Sequence, residues 1–276
     1  MSFVLVRSGL DDLVHVLEDD GYEVYGPVVV DHAIRYRPIG AIDDIAIGIR
    51  DVQSPGRYSL VERSDDAMFG HTVGVTSLKD LFFPPTRQVW SSVWDGETYR
   101  FEPAGGPDRK LAVIGARACE LAALGIHDTV LAGGEYTDSD YVRRRADSFI
   151  VSLDCTEPGE VCFCASMGTG PAATSLFDLA ITEMTIDGEW EYVGRYGSER
   201  GEAILERIAH RQPDQIEISR ARSAVSAASE TMGRELATTG LPEYLATHRE
   251  HPHWTEIANR CLACGNCTQA CPTCFC

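Results

Sequence analysis

Four cysteines in the spacing C-x2-C-x2-C-x3-C dominate the final stretch of this sequence, CLACGNCTQACPTCFC. They are Cys261, Cys264, Cys267 and Cys271, with Pro272 directly after the last of them. This spacing is the bacterial ferredoxin run, which holds a cubane 4Fe–4S cluster by thiolates. Cysteines this close let one short loop wrap a cluster with its sulfurs facing inward, and the proline fixes the exit direction of the chain. A zinc ribbon is the less favoured reading, because it needs two CxxC pairs separated by a longer hairpin and here the pairs overlap. In two-cluster ferredoxins the fourth cysteine of a run serves the other cluster. A second run is therefore expected beyond Cys276, which would make this sequence the front part of a longer protein.

At 276 residues and 44% apolar content, the chain is long enough for one large or two modest domains with an ample core. No apolar run approaches the roughly 18 residues of a membrane span. The start, MSFVLVRSGLDDLVHVLEDDG, turns acidic after ten residues and lacks a signal-peptide pattern. The expectation is a cytoplasmic protein, in which ten cysteines are metal ligands before they are disulfides. With 24 basic and 42 acidic residues the formal net charge is −18, which disfavours nucleic acid as a partner. The longest basic run, Arg143-Arg144-Arg145, reads as a solvated face or a local salt-bridge site.

Taken in order, residues 8–20 read as an amphipathic helix with Ser8 as N-cap and Gly21 as its stop. Short β runs follow at 22–25, 28–30, 33–36 and 45–49, punctuated by Gly26-Pro27, Pro38 and Gly40, as in a small meander or hairpin region. His32 and His71 each stand alone and read as surface or hydrogen-bonded histidines. LKDLFFPP reads as a short helix ending against the core. A strand–turn–strand at 93–102 turns at Asp95-Gly96, and a loop follows at 103–108.

Residues 110–131 carry an α/β signature, a buried strand at 111–114 closing on Gly115 and a helix starting near Cys119. A strand that ends in a glycine turn at a helix N-terminus is where α/β folds place ligands. A second strand, 149–153, runs into Asp154-Cys155, and the loop after it carries Cys162 and Cys164. If both strands end at the C-terminal edge of one parallel sheet, Cys119, Cys155, Cys162 and Cys164 converge. Four thiols are enough for a cubane cluster, with zinc as the leading competitor. SMGTGP (166–171) lacks the spacing of a nucleotide loop, so its glycines read as close backbone approach to a cluster. Downstream, 177–184 and 189–198 pair through Asp187-Gly188, and 202–208 begins a helix. Residues 216–239 read as a polar helix bridging domains, and Pro242 and Pro252 divide what remains into short helices. Trp254 is expected to pack the terminal cysteine module.

LKDLFFPP, AVIGARACELAAL, DCTEPGEVCFCASMGTGP and RCLACGNCTQACPTCFC occur in that order. Together they resemble the iron–sulfur beta subunit of cytoplasmic NiFe hydrogenases of the sulfhydrogenase type, a family that includes an iron–sulfur subunit of anaerobic sulfite reductase. The resemblance spans essentially the whole chain. It implies an electron-transfer subunit between a flavin- and NAD(P)H-binding partner and the small and large subunits that carry the catalytic metal, or the corresponding sulfite reductase subunits. It also implies 4Fe–4S clusters at Cys119, Cys155, Cys162 and Cys164 and at the ferredoxin run. The fourth ligand of the first ferredoxin-type cluster would lie in a segment beyond this sequence, with Cys274 or Cys276 as steric substitutes.

The expected architecture is α/β, an α+β N-terminal region on a mixed sheet followed by short helices and the start of a ferredoxin-like 4Fe–4S module. Its parts are an α/β domain over 1–215, a helical linker over 216–260 and half of a dicluster module over 261–276. No paired carboxylates or Ser/His/Asp arrangement stands out, so no catalytic site of its own is expected in this subunit of an oxidoreductase complex. Two other readings stay open: a flavin-dependent oxidoreductase domain carrying clusters, and a zinc-stabilised interaction module.

Overall fold

A computed structural model describes residues 2–103 and 109–274. Residues 104–108, most of the loop expected at 103–108, lie outside the described residues, and so does Cys276. In chain order the elements are β1 (Ser2–Val6), α1 (Arg7–Asp19), β2 (Tyr22–Val30), β3 (Ala33–Pro38), β4 (Ile49–Ser54), β5 (Arg57–Glu62), α2 (Lys79–Phe82), β6 (Trp90–Trp94) and β7 (Tyr99–Pro103). Then come β8 (Lys110–Arg117), α3 (Ala118–His127), α4 (Ser139–Ala146), β9 (Phe149–Leu153), β10 (Leu179–Ile186), β11 (Glu189–Tyr196), α5 (Glu199–Leu205) and α6 (Gln215–Glu230). The short helices α7 (Leu241–Thr247), α8 (Pro252–Arg260) and α9 (Asn266–Ala270) complete the series.

Seven strands form one mixed sheet in the order β1-β11-β10-β9-β8-β2-β3. Its centre is parallel (β2, β8, β9, β10), and antiparallel strands flank it on both sides. Every residue of β9 is buried, as expected of a parallel strand covered on both faces. On one face Leu10, Leu13, Val14 and Leu17 of α1 pack over Val24, Ile114, Val151 and Ile181. On the other, Leu121 and Leu124 of α3 and Tyr141 of α4 pack with Val113, Ile150, Leu78 and Phe82. The chain is thus an α/β fold on a mixed sheet. No helix among the described residues is long and apolar enough to cross a membrane.

Local chemistry explains where the elements start and stop. The β2–β3 turn uses Asp31 and His32, and the β10–β11 turn uses Asp187 and Gly188, all at positive φ, as two-residue hairpin turns require. The histidine expected on the surface, His32, is thus a turn residue. α1 begins one residue earlier than expected, after Val6 instead of at Ser8, and Gly21 follows its end at φ +83°. The strand expected at 45–49 is absent. A single 3₁₀ turn at Ile42–Asp44 precedes it, and β4 starts only at Ile49 to make a hairpin with β5. The apolar run was misleading because Ile42, Ile45 and Ala46 are buried as loop anchors.

α6 is shorter than the 216–239 reading and lies against β10 and β11, where Ala221 packs with Val4, Ile186 and Val193. Asp214 caps it through the Glu217 amide, and Glu217 in turn pairs with Arg211. Trp254 is 46% exposed and donates its indole N–H to the His248 carbonyl, so it packs on its own helical segment instead of the terminal cysteines.

Candidate metal centre

The site grows out of an irregularity in β8. The β8–β9 register shifts between Ile114 and Ala116, with Gly115 at φ +92° as the extra residue. Without the bulge, Ala116 would follow Ala112 and Ile114 onto the α1 face. With it, Ala116 joins the α3 face. Arg117 then points to the opposite side, where it donates to the Phe69 and His71 carbonyls. A Cβ on Gly115 would press on the Phe69 ring at 3.2 Å in a backbone conformation that side chains avoid.

β8 and β9 end side by side, Arg117 opposite Leu153, so Cys119 in the first turn of α3 and Cys155 just past β9 meet at the C-terminal edge of the parallel sheet. The loop to β10 returns Cys162 and Cys164 to the same edge. Gly170 lies so close to Cys164 that a Cβ there would fall 2.8 Å from its Sγ. This accounts for a glycine at that position without any nucleotide. The segment after α6 straps the loop from outside. Arg234 donates its amide to the Cys162 carbonyl, and Gly233 is packed onto the Glu160 backbone.

Three of the thiols are raised by their surroundings. Burial pushes the Cys119 thiol well above its ordinary range, and the charges of Glu120, Cys155, Cys164 and Cys162 add to this. Burial, then Cys155 and Cys162, push Cys164 up to about 11. Cys162 is raised by burial too, opposed by the Gly159 amide that donates to its Sγ at 3.3 Å. Thiols placed this way resist ionising together unless a bound cation supplies positive charge. Arg117 provides part of it, with Nη1 3.4 Å from the Cys155 Sγ. Four thiols at one sheet edge are the type of donor that a thiolate-held cluster takes. As the side chains stand, no three His, Cys, Asp or Glu groups among the described residues are placed to hold a metal ion.

Sequence reasoning missed the residues around the sulfurs. Arg117 is buried two positions before Cys119, and its place in GARACE was the available signal. Buried Glu120 accepts from the Tyr36 hydroxyl at 2.7 Å and the Arg117 amide at 3.0 Å, tying β3 to the start of α3. Met232 brings its Sδ to 3.8 Å from the Cys164 Sγ, a contact that no spacing rule foretells.

His71 is buried, with Nδ1 2.9 Å from the Thr72 carbonyl and no hydrogen-bond partner at Nε2 among the described residues. Burial and the Arg117 charge bring its pKa from 6.5 down to about 4. On acidification the unfolded chain takes up the proton first, so the stability His71 contributes is complete above about 6.5 and is lost toward about 4. Between about pH 7 and about pH 5 this amounts to about 2 kcal/mol. Urea midpoints should fall over that interval, and His71→Asn should show a fall smaller by this amount.

The terminal cysteines are placed differently. Cys261, Cys264, Cys267 and Cys271 are all exposed, on the loop after α8 and around α9, and Cys274 is partly buried. Gly265 takes positive φ at the start of α9, and the Cys261 Sγ accepts from the Ala263 amide at 3.3 Å. The structure brings the four internal cysteines together at the sheet edge and leaves the terminal run on a separate surface segment.

The chain is 28% identical over 256 residues to sulfhydrogenase 2 subunit beta of Pyrococcus furiosus, across 92% of this chain. The chain is similar to that sulfhydrogenase beta subunit. It spans 66% of that relative's length. No family model and no solved structure matches.

Proposed function

We propose that the chain is an electron-transfer iron–sulfur subunit, passing electrons between a flavin- and NAD(P)H-binding partner and the catalytic metal subunits of a NiFe hydrogenase. The observation that carries this reading is the convergence of Cys119, Cys155, Cys162 and Cys164 at the sheet edge, in a chain that also bears a ferredoxin run and is similar to a sulfhydrogenase subunit. A 4Fe–4S cluster held at such thiolates supplies one-electron transfer with little movement of atoms. The protein's part is to hold the sulfurs, offset their charge and keep water away. Arg117 offsets charge at Cys155, the Gly159 amide donates to Cys162, and Met232 covers Cys164. At the terminal run, Cys261, Cys264, Cys267 and Cys271 are the ligands, in a ferredoxin-like module.

Membership of an assembly has its own support. On the β6–β7 hairpin, Trp90, Trp94, Tyr99 and Phe101 share one face by register, and each is more than half exposed. A two-stranded ribbon is marginal by itself, and aromatic side chains are enriched at subunit interfaces.

Anaerobically prepared protein should contain iron and acid-labile sulfide in equal amounts and no flavin. Zinc without iron or sulfide would refute the electron-transfer reading in favour of a zinc-stabilised module. Bound flavin would move it toward a flavin-dependent oxidoreductase.

A further inference from the structure

LKDLFFPP does more than end a helix against the core. Leu78 and Phe82 are buried, but Lys79 between them reaches outward to the terminal cysteine segment. Its Nζ donates to three carbonyls there, Thr268 at 3.2 Å, Cys271 at 3.4 Å and Cys274 at 2.5 Å. A second contact comes from the last residue of α3, where the His127 Nε2 meets the Pro272 carbonyl. Between the two surfaces lies a cavity of about 710 Å³, lined by Lys79, Phe83, Asn266 and Gln269 among others. The junction is therefore loosely filled, and a few directed bonds fix it.

We infer that Lys79, with His127, is the clasp that docks the terminal cysteine segment onto the far end of α3 and so sets the spacing between the two cysteine centres. This rests on the two-cluster reading for its purpose, though not for its geometry. Cys119 is the second residue of the helix and His127, eight residues later, is its last, so the clasp sits about 12 Å along α3 from the internal site. Electron tunnelling falls off exponentially with distance, so a helix of fixed length held at both ends is a defined gap. The Lys79 ammonium also places a positive charge against the Cys271 and Cys274 carbonyls, where it favours the reduced state of a cluster on that segment. Lys79 is thus a positioning residue.

The test uses the full-length protein and Lys79→Met, with Lys79→Arg as the conservative variant and Lys79→Gln as a second charge-removing variant. The first readout is amide hydrogen exchange, which needs no cluster. Loss of charge-assisted bonds should speed exchange over residues 266–274 about tenfold or more, leave residues 111–127 unchanged and be reversed in Lys79→Arg. The second is the midpoint potential of the ferredoxin-type cluster, which should move to a more negative value in Lys79→Met. Exchange over 266–274 equal to wild type in both charge-removing variants overturns the clasp, as does an increase spread evenly through the core strands. Wild-type protein without a ferredoxin-type cluster would instead refute the electron-transfer reading, and the exchange comparison would still decide whether Lys79 is a clasp.

Discussion

Replacing Cys155 with Ala in the full-length protein should remove one cluster's EPR signal and about four irons per chain, while the ferredoxin-type signal persists. Cys155 leaves the end of β9 beside Cys119, and its amide donates to the Pro171 carbonyl, so its backbone stays anchored when the sulfur goes. The fold is therefore retained, and the loss is one of the four proposed ligands plus one partner of the Arg117 guanidinium. Three thiolates and an unpaired buried cation make a poor cradle for a cubane. Arg117 keeps its bonds to the Phe69 and His71 carbonyls, which limits the cost to stability. Iron and sulfide analysis beside EPR of the reduced protein checks both halves. Disappearance of both signals from a protein that is still folded would show that the two cysteine groups are not separate sites.

The placing of Cys119 and Cys155 at one sheet edge was legible because each lies just past a strand end. In an α/β fold the residue after a buried strand is committed to one edge of the sheet, and the parallel pairing of β8 and β9 follows from the helical crossover between them. The apolar run at 111–114 and the Asp187-Gly188 turn fix their elements by local chemistry alone, and both formed near the expected positions. The bulge at Gly115 was harder to foresee, because a glycine ending a strand and a glycine interrupting one look alike in sequence. Only the pairing with β9 tells them apart, and that pairing decides which way Arg117 points. Long-range polar partners were the least legible. The bonds of Lys79 to residues nearly two hundred positions away and the contact of Met232 with Cys164 leave no periodic trace. The 45–49 run failed for a related reason. Its isoleucines are apolar because they anchor a loop over the α1 face, and burial alone does not say whether a segment pairs as a strand.

The largest loss of stability should come from Asp154→Ala, and it should carry the internal site with it. Asp154 is buried directly before Cys155, and its carboxylate takes both Arg195 Nη atoms, at 2.6 Å and 3.2 Å. The same carboxylate accepts the Ala173 amide at 2.8 Å, so one side chain joins the end of β9, the end of the cysteine loop and β11. Arg195 also donates to the Ala173 carbonyl. Truncation leaves that arginine and the buried amide without their partner, at a cost of about 3 kcal/mol. Asp154→Asn should lose less, because an amide oxygen still accepts from Ala173. Because the loop from Cys162 to Pro171 is held at one end by this carboxylate, the Ala variant should also lose internal cluster iron at temperatures where the sheet remains folded. Urea denaturation measured alongside iron content separates the two effects. A variant with wild-type stability and full iron content would show that Arg195 and Ala173 are held by other contacts.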